Sequence, residues 1–401
     1  RRSRSGSRSR SRSHSRERRA AKHKKKKKKK RKKAKKHKRH HRSSRSRSAD
    51  PEAAATPQLR LFSGSATVQG SRPYQEDRAV CEIHPAMPGS AAPGGGDSDS
   101  NPRGGSPSPA PRWWFAAVYD GHGGARASEY CATELHRSLF EQLSAGGTGQ
   151  DGSATATVSD EGVQRSLKDV FASTERDFMS IAQRENHGDG TTATVVLIEP
   201  ATSRLFAAQL GDSRAVLGRA IGPDWEAVPL TVDHKPQDPE EKRRVESAGG
   251  EVVFLGCWRV SHPDSTSYLA CSRAIGDLAL KVPHSVVSAV PDVTVRTLDC
   301  TMDCLVVVAS DGVWDVMTSD EAVEIAGRAI AEVQGESEAE RGEEPSLPSW
   351  AIPGPKPQGD QDAAQSRRAA LAIVREALER GSADNITAVV HTLDWARQRA
   401  E

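Results

Sequence analysis

The rest of the chain is arranged around Trp113-Trp114-Phe115-Ala116-Ala117-Val118-Tyr119-Asp120-Gly121-His122-Gly123-Gly124. The first seven residues are apolar, bulky and rich in strand formers, which predicts a buried β-strand. The chain then changes character in one step. A carboxylate, a glycine, an imidazole and two more glycines follow directly. A hard oxygen ligand at the end of a rigid strand is well placed to hold a metal. The glycines let the backbone turn and bring its own carbonyl to the same ion. Read alone, the stretch is equally a strand ending in an Asx/Gly turn, so the decision rests on the remainder of the chain.

The chain has 401 residues, enough for one large domain or two ordinary ones. Its charge is uneven. Residues 1–50 hold 27 Lys and Arg against Glu17 and Asp50, a net of +25, and the remainder carries −20. A cationic arm is joined to an acidic body, which suits a domain that collects divalent cations and also suits ordinary solubility. Six cysteines contain no C-x-x-C pair, so a reduced intracellular protein is expected. No apolar run approaches ~18 residues, so no membrane span is expected.

Residues 1–48 are low-complexity, with Arg-Ser alternation at Arg8–Ser13 and a lysine run at Lys24–Lys30. Like charges repel and little apolar surface is available to bury, which predicts a disordered arm over residues 1–55. The folded body is expected over 56–398. Low-complexity insertions fall at about 88–111, 144–158 and 334–366. Strands are predicted at 61–68, 79–83, 191–198, 204–210, 304–309 and 386–393, and a strand-rich stretch at 252–260. Leucines at 135, 139 and 143 predict one helix, and the apolar face from Val163 to Ile181 predicts a second over 160–183. Thr318 and Glu321 form a capping box, and a last helix covers about 364–380. Strand pairs and helix pairs come in blocks, which argues for α+β layers with antiparallel sheets.

Asp120, Asp311 and Asp384 each stand at an end of a strand or at a strand start, and Asp212 follows the strand ending at Leu210. Carboxylates that converge raise one another's pKa unless something neutralises them. Divalent cations do so, and oxygen ligands select Mg²⁺ or Mn²⁺ over zinc. Singly, each Asp reads as a turn or cap residue.

Eight motifs then appear in order: Arg72…Glu76-Asp77, Asp120-Gly121-His122-Gly123, Gly190-Thr191-Thr192-Ala193, Gly211-Asp212-Ser213-Arg214, Asp233-His234-Lys235-Pro236, Ser272-Arg273-Ala274-Ile275-Gly276-Asp277, Ser310-Asp311-Gly312-Val313-Trp314-Asp315 and Asp384-Asn385. Together they resemble the metal-dependent protein Ser/Thr phosphatases of type 2C, over roughly residues 60–395. The resemblance implies a central sandwich of two antiparallel β-sheets flanked by helices. It implies two Mg²⁺ or Mn²⁺ ions at one end and a weaker third. Asp120 would bridge both ions and the Gly121 carbonyl would bind one. Asp311 and Asp384 would complete the other, and Glu76 and Asp77 would act directly or through waters. Asp212 and Asp315, with Asp311, match the third site. Arg72 would hold phosphate oxygens with its planar fork, and His122 would protonate the leaving Ser or Thr oxygen. The implied reaction is hydrolysis of phosphoserine and phosphothreonine in proteins by a water that the two ions activate.

The segment Ser261–Ser267 is longer than the family leads one to expect and lies in the substrate-side flap. Trp258 does not match the partner-contacting Trp of the hormone-regulated plant members. Cys131 and Arg137 fit C-x5-R by count, but the residues between them lack glycine and follow a helical pattern, so no phosphate cradle forms there. Asp97-Ser98-Asp99 follows no strand, which counts against an aspartyl-phosphate enzyme. The alternative from another class is a catalytically inactive adaptor of the same fold, tethered to RNA or splicing factors through residues 1–48. The resemblance implies phosphoprotein substrates, and a monomer is expected, while the arm predicts a nuclear protein, with the cytoplasm a second location, contacting RNA or acidic partners.

Overall fold

The computed structural model describes residues 58–85, 111–146, 158–335 and 361–396. The expectations for the arm, and for most of the three insertions, lie outside these residues. Residues 144–146 and 361–366, counted in two of the insertions, are helical.

Two five-stranded sheets carry the fold. In the first, β1 (Gln58–Val68) pairs with β15 (Ile386–Ala396), followed by β14 (Asp303–Ala309), β8 (Arg214–Ile221) and β9 (Asp224–Pro229). In the second the order is β13 (Asp292–Thr297), β7 (Arg204–Leu210), β6 (Ala193–Glu199), β3 (Pro111–Tyr119) and β2 (Arg78–Pro85). Both are antiparallel throughout.

The two-residue period of a strand explains the layering. Phe115, Ala117 and Tyr119 point one way from β3 and Ala116 and Val118 the other. The first set packs with α1 (Arg126–Gly146) and α2 (Asp160–Glu185) through Cys131, Leu135, Leu139, Leu167 and Phe171. The second set meets Leu61, Leu217, Val306, Val308 and Val389 of the first sheet, which makes the contact between sheets. On the far side, Leu305, Val307, Ala388 and Val390 pack under α6 (Ser319–Gly335) and α7 (Gln361–Glu379). The result is helix, sheet, sheet, helix, the α+β sandwich expected. Both faces of the central strands are covered, which is why they read as unbroken apolar runs.

Local chemistry sets the helix ends. The Ser159 side chain caps α2 by accepting from Gly162 N. Thr318 and Glu321 exchange bonds, with Thr318 N donating to Glu321 Oε2 at 2.9 Å and Glu321 N to Thr318 Oγ1 at 3.3 Å. The capping box therefore opens α6 as the sequence predicts. The short α3 (Pro239–Ser247) is capped by Asp238.

The stretch 252–260 falls in two strands. β10 (Glu251–Leu255) and β11 (Cys257–Ser261) form a hairpin that turns at Gly256. Gly256 has φ +80°, a conformation glycine adopts at little cost, and nothing in the apolar pattern announced it. Beneath the hairpin lies a small core of Val245, Val260, Leu269, Leu280 and Val286. Between the sandwich and this hairpin, β4 (Gly121–His122), β5 (Gly190–Thr191) and β12 (Ile275–Gly276) make a three-stranded patch, and α4 (Leu278–Lys281) follows. Among the described residues no helix is long and apolar enough to cross a membrane. All six cysteines are free thiols.

Candidate metal centre

β3 delivers Asp120 to one end of the sandwich. Asp120 N donates to Thr192 Oγ1 at 3.1 Å, and Thr192 N donates to Asp120 O at 2.9 Å. Thr192 Oγ1 also lies 2.8 Å from Ser213 Oγ, which ties the same point to the β7–β8 turn that carries Asp212. From β14 the chain reaches Ser310, whose hydroxyl donates to Asp77 Oδ2 at 2.8 Å and accepts from Thr387 N at 3.0 Å. One turn of helix, α5 (Asp311–Trp314), then carries Asp311, with Asp315 at its end. Asp384 stands just before β15. A Cβ on Gly312 would lie 2.1 Å from Asn385 O, so only glycine lets α5 and the start of β15 approach this closely. Asn385 Oδ1 accepts from Glu76 N at 2.8 Å, and its amide donates to Gln69 O and Tyr74 O at 2.8 and 2.9 Å. One side chain thereby anchors the loop that bears Arg72, Glu76 and Asp77. Gly121 permits a similar approach, since a Cβ there would stand 2.5 Å from Glu76 O.

The electrostatics show that the acids face one another, although among the described residues no three of them bring oxygens within 4.8 Å of one another. Burial, followed by the charges of Asp311, Asp77, Asp212 and Asp384, pushes the Asp120 carboxyl well above the carboxylate range. Burial and then Asp212, Asp315 and Asp384 raise Asp311 to about 8, against the pull of Lys235. Burial raises Asp77 to about 6, although hydrogen bonds from Thr387 and Ser310 oppose it. Burial also lifts Asp315. Two cations offset part of this charge. Lys235 Nζ donates to Asp212 Oδ2 at 2.6 Å, and Arg72 Nη2 to Asp384 Oδ2 at 2.5 Å. Asp77 Oδ1 is buried without a hydrogen-bond partner. An all-oxygen donor set, surplus negative charge and an unsatisfied buried oxygen together fit hard divalent cations.

His122 sits beside this cluster. Its Nε2 lies 2.9 and 3.0 Å from the two carboxylate oxygens of Asp277, so Nε2–H donates to that carboxylate. Burial pulls the imidazole pKa down, but the charge and hydrogen bond of Asp277, then Asp212 and Glu76, carry it above its ordinary value. A Cβ on Gly190 would lie 2.2 Å from Asp277 Oδ2 and 2.3 Å from His122 Nε2, so the pair fits only over glycine.

The structure thus gathers Asp77, Asp120, Asp212, Asp311, Asp315 and Asp384 so that each feels the charge of several others, with Glu76, Gly121, Arg72 and His122 at the same end. Asp277, Gly190, Lys235 and Asn385 were not assigned roles from sequence. Each lay inside a quoted motif, which was the available signal. Cys131 is buried in α1 and burial pushes its thiol far up, while Arg137 pairs with Glu134. No nucleophilic thiolate forms there.

A two-sheet sandwich flanked by helices, with carboxylates gathered at one end, is the class of fold this chain adopts. Residues 97–386 match the family model described as Protein phosphatase 2C. The rice Probable protein phosphatase 2C 8 is 37% identical over 291 residues, covering 71% of this chain and 64% of that one. Protein phosphatase 2C 56 of Arabidopsis thaliana is 36% identical over 286 residues, covering 71% and 59%. The match thus spans less than two thirds of these relatives. A crystal structure of a serine-threonine phosphatase 2C from Toxoplasma gondii shares the fold, with a TM-score of 0.59 at 23% identity over 84% of this chain and 98% of that one. The chain belongs to the protein phosphatase 2C family.

Proposed function

We propose that this chain hydrolyses phosphoserine and phosphothreonine in proteins. The carrying observation is the convergence of Asp120, Asp311 and Asp384 beside His122. Asp120 and the Gly121 carbonyl, with Asp311 and Asp384, would hold two Mg²⁺ or Mn²⁺ ions, supported by Glu76 and Asp77. Asp212 and Asp315 would serve a weaker third. Bound there, such ions neutralise phosphate oxygens and make a water acidic enough to attack. The chain's own residues supply the rest. Arg72, half-exposed beside Asp384, presents a planar fork to phosphate oxygens. His122 uses Nε2 to hold Asp277, which leaves Nδ1 to give a proton to the leaving Ser or Thr oxygen. Asp277 stabilises the protonated ring, and Lys235 fixes Asp212.

Phosphate release from a phosphoserine peptide should require Mn²⁺ or Mg²⁺ and stop on chelation. Asp120→Ala and Asp311→Ala should each lower it at least about a hundredfold, on the scale of lost transition-state charge stabilisation. A folded chain that releases no phosphate with either metal would instead support the inactive-adaptor reading.

We further propose that residues 1–48 place the protein in the nucleus, near RNA or acidic partners. The support is charge alone: 27 Lys and Arg against two acids in the first 50 residues. Deleting 1–48 should abolish nuclear enrichment of a tagged chain and leave peptide dephosphorylation intact. Unchanged localisation would remove that role from the arm.

A further inference from the structure

After β11 the chain runs His262-Pro263-Asp264-Ser265-Thr266-Ser267, most of the segment that exceeds the family's expected length. Ser265 N donates to His262 O at 2.9 Å, and Asp264 N to His262 Nδ1 at 3.1 Å, which closes the segment into a tight turn. The turn sets His262 against His284, beyond α4. Their rings stack with centroids 4.3 Å apart and 17° between planes. Asp264 Oδ2 lies 3.8 Å from His262 Nδ1, and one donor atom from each of the three residues falls within 4.8 Å of the others. The His262 side chain is only 10% exposed, while Asp264 and His284 are open to solvent. The cluster therefore has one fixed wall and two side chains able to adjust.

The donor chemistry differs from that of the carboxylate centre. Two imidazoles and one carboxylate form the borderline set that zinc prefers, whereas Mg²⁺ asks for oxygen in an octahedron. His262 Nδ1 accepts the Asp264 amide at 3.1 Å, so a cation taken there displaces that amide, and one taken at Nε2 requires the other neutral tautomer. Zinc bonds of ~2.0–2.2 Å place tetrahedral donors about 3.3 Å apart. Closing from spacings of up to 4.8 Å needs up to about 1.5 Å of movement and a turn of the exposed His284 ring out of the stack, which rotation of the His284 and Asp264 side chains provides.

We propose that His262, Asp264 and His284 form a Zn²⁺ site with a fourth position open to water, separate from the carboxylate centre. Its occupancy clips the turn after β11 to the loop after α4. These two segments bracket Ser272–Asp277, the stretch that carries the partner of His122. The clip would thus hold the flap hairpin and that stretch in register.

Equilibrium dialysis of the full chain against Zn²⁺, with excess Mg²⁺ present to fill oxygen-only sites, tests this. Wild type should retain a Zn²⁺ that Mg²⁺ does not displace. His262→Ala and His284→Ala should each weaken its binding at least about tenfold, as loss of one ligand in three demands. His284 is exposed, so that variant keeps its fold even where His262→Ala does not. The double variant Asp120→Asn, Asp311→Asn should bind this Zn²⁺ as wild type does, whether or not the chain is a phosphatase. Substituted Co²⁺ should give the visible absorption of a tetrahedral nitrogen–oxygen site in wild type and lose it in His284→Ala. Zn²⁺ retention equal in wild type and both histidine variants, or lost with the aspartate pair, overturns the proposal. So does a wild type that retains none.

Discussion

His122 and Asp277 are 155 positions apart and meet at 2.9 Å. The contact holds the imidazole by one nitrogen and aims the other. Asp277 has φ +59°, a left-handed conformation that Asn tolerates nearly as well as Asp. Asp277→Asn should therefore fold normally, keep a neutral acceptor for Nε2–H and lose the charge. We expect kcat to fall about 10- to 100-fold with little change in KM, the pattern of an interaction made in the transition state. A raised KM with unchanged kcat would show instead that Asp277 serves substrate binding. The residue scale also shows where sequence reading stops. Asp120, Asp311 and Asp384 were legible because each stands at the end or the start of an apolar strand run, and a carboxylate there asks for an explanation. Lys235 lies in a polar stretch, and Asp277, though set between short apolar segments, ends no long strand run. Their importance lies in a partner on another element, and no local pattern encodes a partner. Gly190 is of the same kind: its missing Cβ matters only because two side chains from elsewhere occupy that space.

At the scale of elements, the inner strands β3, β6, β7, β14 and β15 were readable because burial on both faces leaves long apolar runs, whereas β13, exposed at alternate positions, was not. Helices α1, α2 and α6 were readable from the spacing of leucines and from one capping box. The β10–β11 hairpin was not, since its residues mix exposed and half-buried positions and its turn depends on a single glycine. The small patch formed by β4, β5 and β12 was invisible for another reason: two-residue strands have no period. Packing between elements is where substitution should bite hardest. A Cβ on Gly64 of β1 would stand 2.1 Å from Arg367 N, a backbone atom of α7. The helix cannot give way as a flexible side chain would. Gly64→Ala should cost about 1–3 kcal/mol and lower the melting temperature by roughly 3–10 °C. A transition that moves by less than about 2 °C in calorimetry would mean that α7 slides along β1 without strain.

For the whole molecule, alternation along each strand specified which side chains face the helices and which face the other sheet. It did not specify neighbours. The order β1-β15-β14-β8-β9 joins the first and last strands of the body, and that choice is made by packing across the entire chain. The same is true of the acidic centre, which exists only once strands from both sheets end at the same place. The opposite charges of residues 1–50 and of the remainder, by contrast, were plain from composition, because charge sums need no fold.

The pairing of β1 with β15 runs eleven residue pairs, from Val68 opposite Ile386 to Gln58 opposite Ala396. The two ends of the sandwich are therefore cross-strand neighbours, about 5 Å apart in such a ladder. A linker of roughly four Gly and Ser residues would convert them into an ordinary hairpin. With new ends opened between α6 and α7, a circularly permuted body of the same residues should melt as one cooperative unit and release phosphate with Mn²⁺ as the parent chain does. If that rearranged chain stays unfolded, the strand now placed first must be needed early, as a template on which the others assemble. If it folds, the point at which ribosomal synthesis starts has no bearing on the architecture.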